Sequence, residues 1–179
     1  IGHIIASNFV DLIEIPDHVD RSMGDIHPEG NPHIHLNPHN IILVAQEIHK
    51  RLLIIDPDNT SYYNNKFEMF NTKWQEAIIR WENNAAELKG KPILVHHKSF
   101  SYLVEWLEIN QIGSLEPRPG MPPTTSHLNG LLKTIESNPV DLIIRTPYDP
   151  RKASDWLTEK TNIPNVILPY TTDEEDVDN

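Results

Sequence analysis

The chain has 179 residues, 38% of them hydrophobic, enough to bury a sizeable core as one ordinary domain or as two small lobes. Asp and Glu outnumber Lys and Arg by 26 to 15, a formal net charge of -11 that argues against the phosphate-neutralising surface of a nucleic-acid binder. Cysteine is absent, so disulfides, thiolate zinc sites and thiol catalysis are excluded, and ten histidines and the carboxylates remain to hold any transition metal.

The first residues, IGHIIASNF, carry no initiator Met, no basic leader and no long apolar run. Neither a signal peptide nor a membrane span is read there, and the natural N-terminus is expected upstream. NFVDLIEI, residues 8–15, predicts a short strand. A polar loop from Pro16 through Pro32 follows and is longer than a plain connector needs. Asn37 then Pro38 predicts an N-cap with proline at the first helical position, and IILVAQEIHKRLL continues with apolar residues at helical spacing. Asp56, Pro57 and Asp58 break that helix. From Ser61 to Leu88, Phe67, Phe70, Trp74, Ile78 and Trp81 recur at spacings of 3, 4, 4 and 3 and form one apolar stripe. A helix of about 28 residues spans about 42 Å, which predicts a brace between two lobes.

After Lys89, Gly90 and Lys91, short apolar runs alternate with helical patterns: PILVHH, SFSYLVEWLEIN, GSLE, SHLNGLLKTIES, VDLIIR, PRKASDWLTEK and NVILPY. This alternation predicts repeated βα units around a parallel sheet. Sites in such sheets gather at the carboxyl ends of strands, where His96, His97 and Glu116 stand. The final TTDEEDVDN is acidic and unpatterned, so this end is also expected to be cut or frayed.

The stretch GNPHIHLNPHN, residues 30–40, places three histidines within seven residues at this loop-to-helix entry. His33 and His35, at i and i+2, share one face if the backbone is extended, and two imidazoles can then converge on one ion. The alternative is an exposed loop rich in imidazole, and spacing alone leaves both open. His96 and His97 follow a strand and point to opposite sides, so one of them faces any given cleft and the other packs with its nitrogens hydrogen-bonded. His3, His18, His39, His49 and His127 read as surface or capping residues. Phosphate-loop, dinucleotide, nucleophile-elbow and HExxH patterns are absent.

GDIHPEGNPHIHLNPHN resembles the loop and helix start of the periplasmic zinc and manganese solute-binding proteins of metal ABC transporters, where a PH[IFY][WH]L[DN]P-like run supplies a ligand histidine. VHHKSFSYLVEWLEINQIGSLEPRPGMPPTTSHL is similar to the same family's second lobe, where HKSF or HDAF carries another ligand and an EPxPGxxPS-like loop follows. IIRTPYDPRKASDWLTEKTNIPNVILPY is similar to its last βα unit. The resemblance implies an α/β fold of two Rossmann-like lobes bridged by one long helix. Residues 1–57 would be the remainder of an incomplete N-terminal lobe carrying the metal loop, 58–90 the bridging helix and 91–179 the C-terminal lobe.

By position in those motifs, His33 is the first-lobe metal ligand and His97 the second-lobe ligand. His35 stands where the family has an aromatic residue, so its candidacy comes from spacing alone. Asp173 is a nearby carboxylate without a clean motif match. The family's further ligand on an early loop lies before Ile1. The implied cargo is Zn2+, with Mn2+ as the second choice, bound by nitrogen and carboxylate donors at about 2.0 to 2.2 Å and handed to a membrane ABC permease. The implied protein is a periplasmic or lipid-anchored extracytoplasmic monomer, with neither nucleic-acid partner nor catalysis. The alternative is a zinc-dependent metallohydrolase on the same histidines, with Glu29 or Glu116 as general base. For a metal site of this kind, an unperturbed imidazole pKa of about 6.5 predicts that protons displace metal from His33 and His97 between about pH 7.5 and pH 5.5.

Overall fold

Four short parallel strands form the sheet, and each is followed or preceded by a helix that returns the chain to the same edge. In the computed structural model, which describes residues 2–20, 23–25, 27–169 and 171, these are β1 (Pro92–Val95), β2 (Asn110–Ser114), β3 (Leu142–Arg145) and β4 (Asn165–Ile167). Their order is β2-β1-β3-β4, all pairs parallel. The chain leaves β1 toward β2 on one side, then crosses back to place β3 on the other. The carboxyl end of β1 is therefore the point where strand order reverses, the position that leaves a crevice outside the sheet.

The helices are α1 (Pro38–Ile55), α2 (Thr60–Ala85), α3 (Ser101–Trp106), α4 (Thr125–Ser137) and α5 (Arg151–Thr161). Strand alternation divides the core. Leu94 and Ile143 face α4 and α5, packing with Leu128, Leu131, Ala153 and Leu157. Ile93, Val95 and Ile144 face the other way and pack on Phe100, with Leu103 and Val104 of α3 against them. Both faces are covered, as an all-parallel sheet requires. Leu36, from the histidine-rich stretch, also packs on this second cluster, so the early part of the chain is fastened to the sheet's core.

The predicted long helix is present: α2 has 26 residues and runs on through a 3-10 turn, Ala86–Leu88. At about 1.5 Å per residue it is about 39 Å long. Its stripe forms as the spacing requires, with Ile78 buried, Phe70 stacked on Trp74 at 5.5 Å and Trp74 edge-on to Trp81 at 5.4 Å. Trp81 nonetheless stays 40% exposed. The indole Nε1 of Trp74 donates to the Pro38 carbonyl at 2.8 Å, which locks α2 onto the start of α1. The α1 start is as predicted, with Asn37 accepting from the His39 backbone N–H and Pro38 at the first turn. Among the described residues no helix is long and apolar enough to cross a membrane.

The predicted strand at 8–15 does not form. A 3-10 turn occupies Ala6–Phe9, and the following residues are irregular. Apolar alternation favours extended backbone, but a strand also needs a neighbour to share a ladder, and this segment pairs with none of the four strands. The backbone groups of Ile13 are satisfied instead by the loop and by α3: its carbonyl accepts from the Asn31 N–H at 2.9 Å, and its N–H meets the Tyr102 hydroxyl at 3.4 Å.

Phe100, 1% exposed, fills the cluster between the sheet and α3. Phe100→Ala is expected to lower unfolding free energy by about 3 to 5 kcal/mol. Ile79→Ala, at a helical position 59% exposed, is expected to change it by no more than about 0.5 kcal/mol. Urea unfolding of the two variants measures both.

Candidate metal centre

Asn37 caps α1, and the buried Asn40 side chain donates to the Ile34 carbonyl at 2.9 Å, so the chain rolls into the helix before it reaches Pro38. Residues Ile34–Leu36 accordingly form a 3-10 turn with His33 as its N-cap, at φ -82 and ψ 40. The extended backbone that would give His33 and His35 a common face is absent. With about three residues per turn, side chains two apart diverge. His33 is half-buried, His35 is exposed, and their ring centroids lie 6.3 Å apart.

His97 follows β1 in extended conformation, at φ -122 and ψ 164. The β1–β2 ladder continues past the strands, with Leu115 N–H to Val95 carbonyl at 2.9 Å and Glu116 N–H to His96 carbonyl at 3.1 Å. That register brings Glu116 alongside His97, and the His97 Nδ1 to Glu116 Oε2 distance is 2.6 Å. His96 turns the other way, as strand alternation requires, and is 1% exposed. The expected hydrogen bonding is not met at Nδ1, which has no partner among the described residues.

His33 and His97, 64 positions apart, line one cleft together with Glu14, Asp25, His27 and Asn31. The cavity is small, about 70 Å³. Two loops close over it, joined by the Asp25 N–H to the Pro119 carbonyl at 2.7 Å. Gly120, at φ +73, lies so close to Asp25 that an added Cβ would sit 2.8 Å from the Asp25 Cβ, so only glycine fits there.

Behind the cleft is a polar seam. The Asn31 amide donates to Glu14 Oε2 at 2.8 Å and to the Lys98 carbonyl at 2.9 Å. Its oxygen accepts from the His33 backbone N–H at 2.9 Å and lies 2.9 Å from His33 Nδ1. Glu14 also pairs with Lys98 Nζ at 2.7 Å and accepts from Ser101 Oγ at 3.1 Å. Burial pushes the Glu14 carboxyl up, but hydrogen bonds from Asn31, Lys98 and Ser101, with the Lys98 charge, more than offset this and hold it below the ordinary carboxylate value. Burial, reinforced by the neighbouring His35, His97 and His27, pushes the His33 ring from 6.5 down to about 4. His33 is therefore a neutral imidazole, the form that binds metal, well below neutral pH.

His33 and His97 are thus brought together, whereas the exposed His35 lies outside the residues lining the cleft. Asp173 lies outside the described residues. Among the described residues no three histidine or acidic side chains stand close enough to complete a metal's coordination. Four other histidines are accounted for elsewhere: His18 contacts Asp20 at 3.6 Å, His39 contacts Glu82 at 3.1 Å, His49 stacks on Phe67 at 4.6 Å and His127 reaches the Ser114 carbonyl at 2.9 Å. Glu14, Asp25, His27 and Asn31 at the cleft were not singled out from the sequence. Only GDIHPEG hinted at two of them, and Glu14 sits in a segment patterned like a strand.

The family described as ZnuA, zinc-uptake complex component A, periplasmic, matches residues 3–179. The high-affinity zinc uptake system protein ZnuA of Bacillus subtilis (strain 168) is 24% identical over 150 residues, covering 82% of this chain and 47% of that protein. The chain spans about half the length of this curated relative. A Zn(II)-bound mutant variant of AdcAII from Streptococcus pneumoniae has a similar fold, with TM-score 0.70 and 23% identity over 93% of this chain and 60% of that one. A Mn-bound mutant of a periplasmic metal binding protein from candidatus liberibacter asiaticus gives TM-score 0.69 and 16% identity over 90% and 58%. A family match that runs through both histidine motifs, the long helix and the parallel sheet identifies the chain as a member of the ZnuA family of periplasmic zinc-uptake components.

Proposed function

We propose that this chain binds a divalent transition metal, zinc by preference, in the cleft between His33 and His97, and that the whole protein delivers it to the permease of an ABC transporter. The observation carrying this reading is the meeting of His33 and His97, from opposite ends of the long helix, at one small cleft. In this reading residues 1–57 and 91–179 form the two sides of the cleft, and 58–90 braces them. His33 and His97 are the metal's ligands; His35 and Asp173 are candidates for the remaining positions. Two imidazoles favour zinc over manganese, which suits carboxylate-rich sites. The protein works outside the cytoplasm, free in the periplasm or held to the membrane by lipid.

The small size of the cleft lined by His33 and His97 supports ion binding over metallohydrolase chemistry there. Sites for organic substrates run to about 300 to 1,000 Å³, whereas about 70 Å³ holds an ion with a water or two. In this reading the histidines serve a cargo ion.

His33→Ala and His97→Ala are each expected to weaken zinc binding by more than about 100-fold, beyond the loss of about 10- to 100-fold typical of removing an outer partner of a ligand. His39→Ala and His49→Ala are expected to leave affinity within about threefold. Titration against a chromogenic chelator decides, and equal effects in all four variants contradict the assignment.

The pH dependence follows from the lowered His33 value. In the unfolded chain this ring protonates near 6.5, in the folded protein near about 4. As pH falls between those values the unfolded state takes up more protons, so the metal-free fold loses stability across that window and no further from this group below it. For the same reason the advantage in zinc affinity of wild type over His33→Ala is expected to hold from pH 7.5 to 5.5 and to collapse only toward about pH 4. This moves the window expected of an ordinary imidazole, for His33, downward. Affinity ratios measured at three pH values test it.

A further inference from the structure

We propose that Asn31 and Glu116 are positioning residues for metal capture, each holding a ligand histidine with its proton on Nδ1 and its lone pair on Nε2, and that Asn31 also sets the span of the cleft. The inference rests on the reading of His33 and His97 as the ligands.

The argument begins with the Asn31 amide, whose oxygen and nitrogen are told apart by their partners. Its Nδ2 faces Glu14 Oε2 and the Lys98 carbonyl, neither of which can donate. The other end must then be the oxygen, and it receives the His33 backbone N–H. An amide oxygen only accepts, so the His33 Nδ1 beside it at 2.9 Å carries the proton. In the neutral ring this puts the lone pair on Nε2. Glu116 does the same for His97: its Oε2 receives the Gly120 N–H at 2.9 Å and lies 2.6 Å from His97 Nδ1, so that nitrogen is protonated too. An unconstrained neutral imidazole exchanges between two tautomers, of which one offers a metal Nε2. Here both rings are held to the same choice before any metal arrives.

Asn31 is itself fixed at every polar group. It is 6% exposed, its N–H donates to the Ile13 carbonyl, and its carbonyl accepts from the Tyr102 hydroxyl at 3.1 Å. Gly30 before it, at φ +105, passes so close to the Ile13 carbonyl that an added Cβ would lie 2.9 Å from the oxygen. One rigid side chain therefore bonds His33 at one end and, at the other, the carbonyl of the residue that follows His97. The separation of the two ligand histidines is set by a single amide.

The test uses the full chain with 15N-labelled imidazoles. Tautomers are read by NMR in metal-free protein, zinc affinity by chelator competition and folding by thermal melt. Wild type is expected to show the Nδ1–H form at both His33 and His97. Asn31→Ala should give mixed tautomers at His33 and not at His97, and Glu116→Ala the reverse, each with a loss of zinc affinity of about 10- to 100-fold. Glu116→Gln, which keeps an accepting oxygen, should restore both readouts at His97. Asn31→Asp should keep the His33 tautomer yet still lose affinity, because it cannot donate to Lys98.

Should Asn31→Ala fail to fold, the Glu116 pair and Asn31→Asp carry the test. Unchanged tautomers in the alanine variants overturn the inference even if affinity and melting temperature fall, since that is a purely structural role. Unchanged affinity in them overturns it as well and leaves the ligand assignment standing. Wild-type zinc binding by His33→Ala and His97→Ala overturns the ligand reading itself, and the inference with it.

Discussion

The hydrogen bonds of one buried amide hold the cleft together. Asn31 joins three segments far apart in sequence: the stretch around Ile13 and Glu14, its own loop, and the turn after β1. A bond to a carboxylate is worth about 1.5 to 3 kcal/mol, and a buried group left without its partner costs about 1 to 3 kcal/mol. Breaking the seam would strand the Asn31 amide and remove one donor each from Glu14 and the Lys98 carbonyl, which would keep Ser101 and, for Glu14, Lys98. The network ties the three segments together at the cleft.

Packing acts in the same direction. Leu36 ends the histidine turn just before the helix α1, and its side chain packs against the cluster of Ile93, Val95, Phe100 and Ile144. The turn carrying His33 is in this way anchored by apolar burial to the sheet that carries His97. Hydrogen bonds set direction at the seam, while burial supplies the larger attraction. The long helix α2 contributes rigidity, tied to α1 through Trp74 and to α3 through the Glu82 contact with the Trp106 indole at 3.0 Å.

The electrostatics suit capture of a cation. Burial and neighbouring imidazoles keep the His33 ring deprotonated far into the acid range. Glu14 has both its carboxylate oxygens engaged, by Asn31, Lys98 and Ser101, and Glu116 directs one oxygen to His97 and Gly120. The carboxylate oxygens of Glu14 and the Oε2 of Glu116 are thus taken up by hydrogen bonds within the protein. A chain with a net charge of -11 adds a general attraction for cations on top of this local arrangement.

Local pattern alone was enough for α1 and its cap, the stripe of α2, the βα alternation after Lys91 and the placing of His97 at a strand's end. Each depends on side chains a few residues apart, whose spacing reports the backbone period directly. The motif resemblance identified His33 and His97, and the structure brings both to one cleft. Tertiary structure alone decided that residues 8–15 join no sheet, because a ladder needs a partner strand. It decided that HxH curls into a 3-10 turn, because Asn40 and Leu36 draw that turn inward. Asn31, Glu14 and Glu116 become parts of one site only when segments 17 to 87 positions apart come into hydrogen-bond reach. A hydrogen bond is a matter of distance and direction in space, and local spacing carries neither across a folded chain.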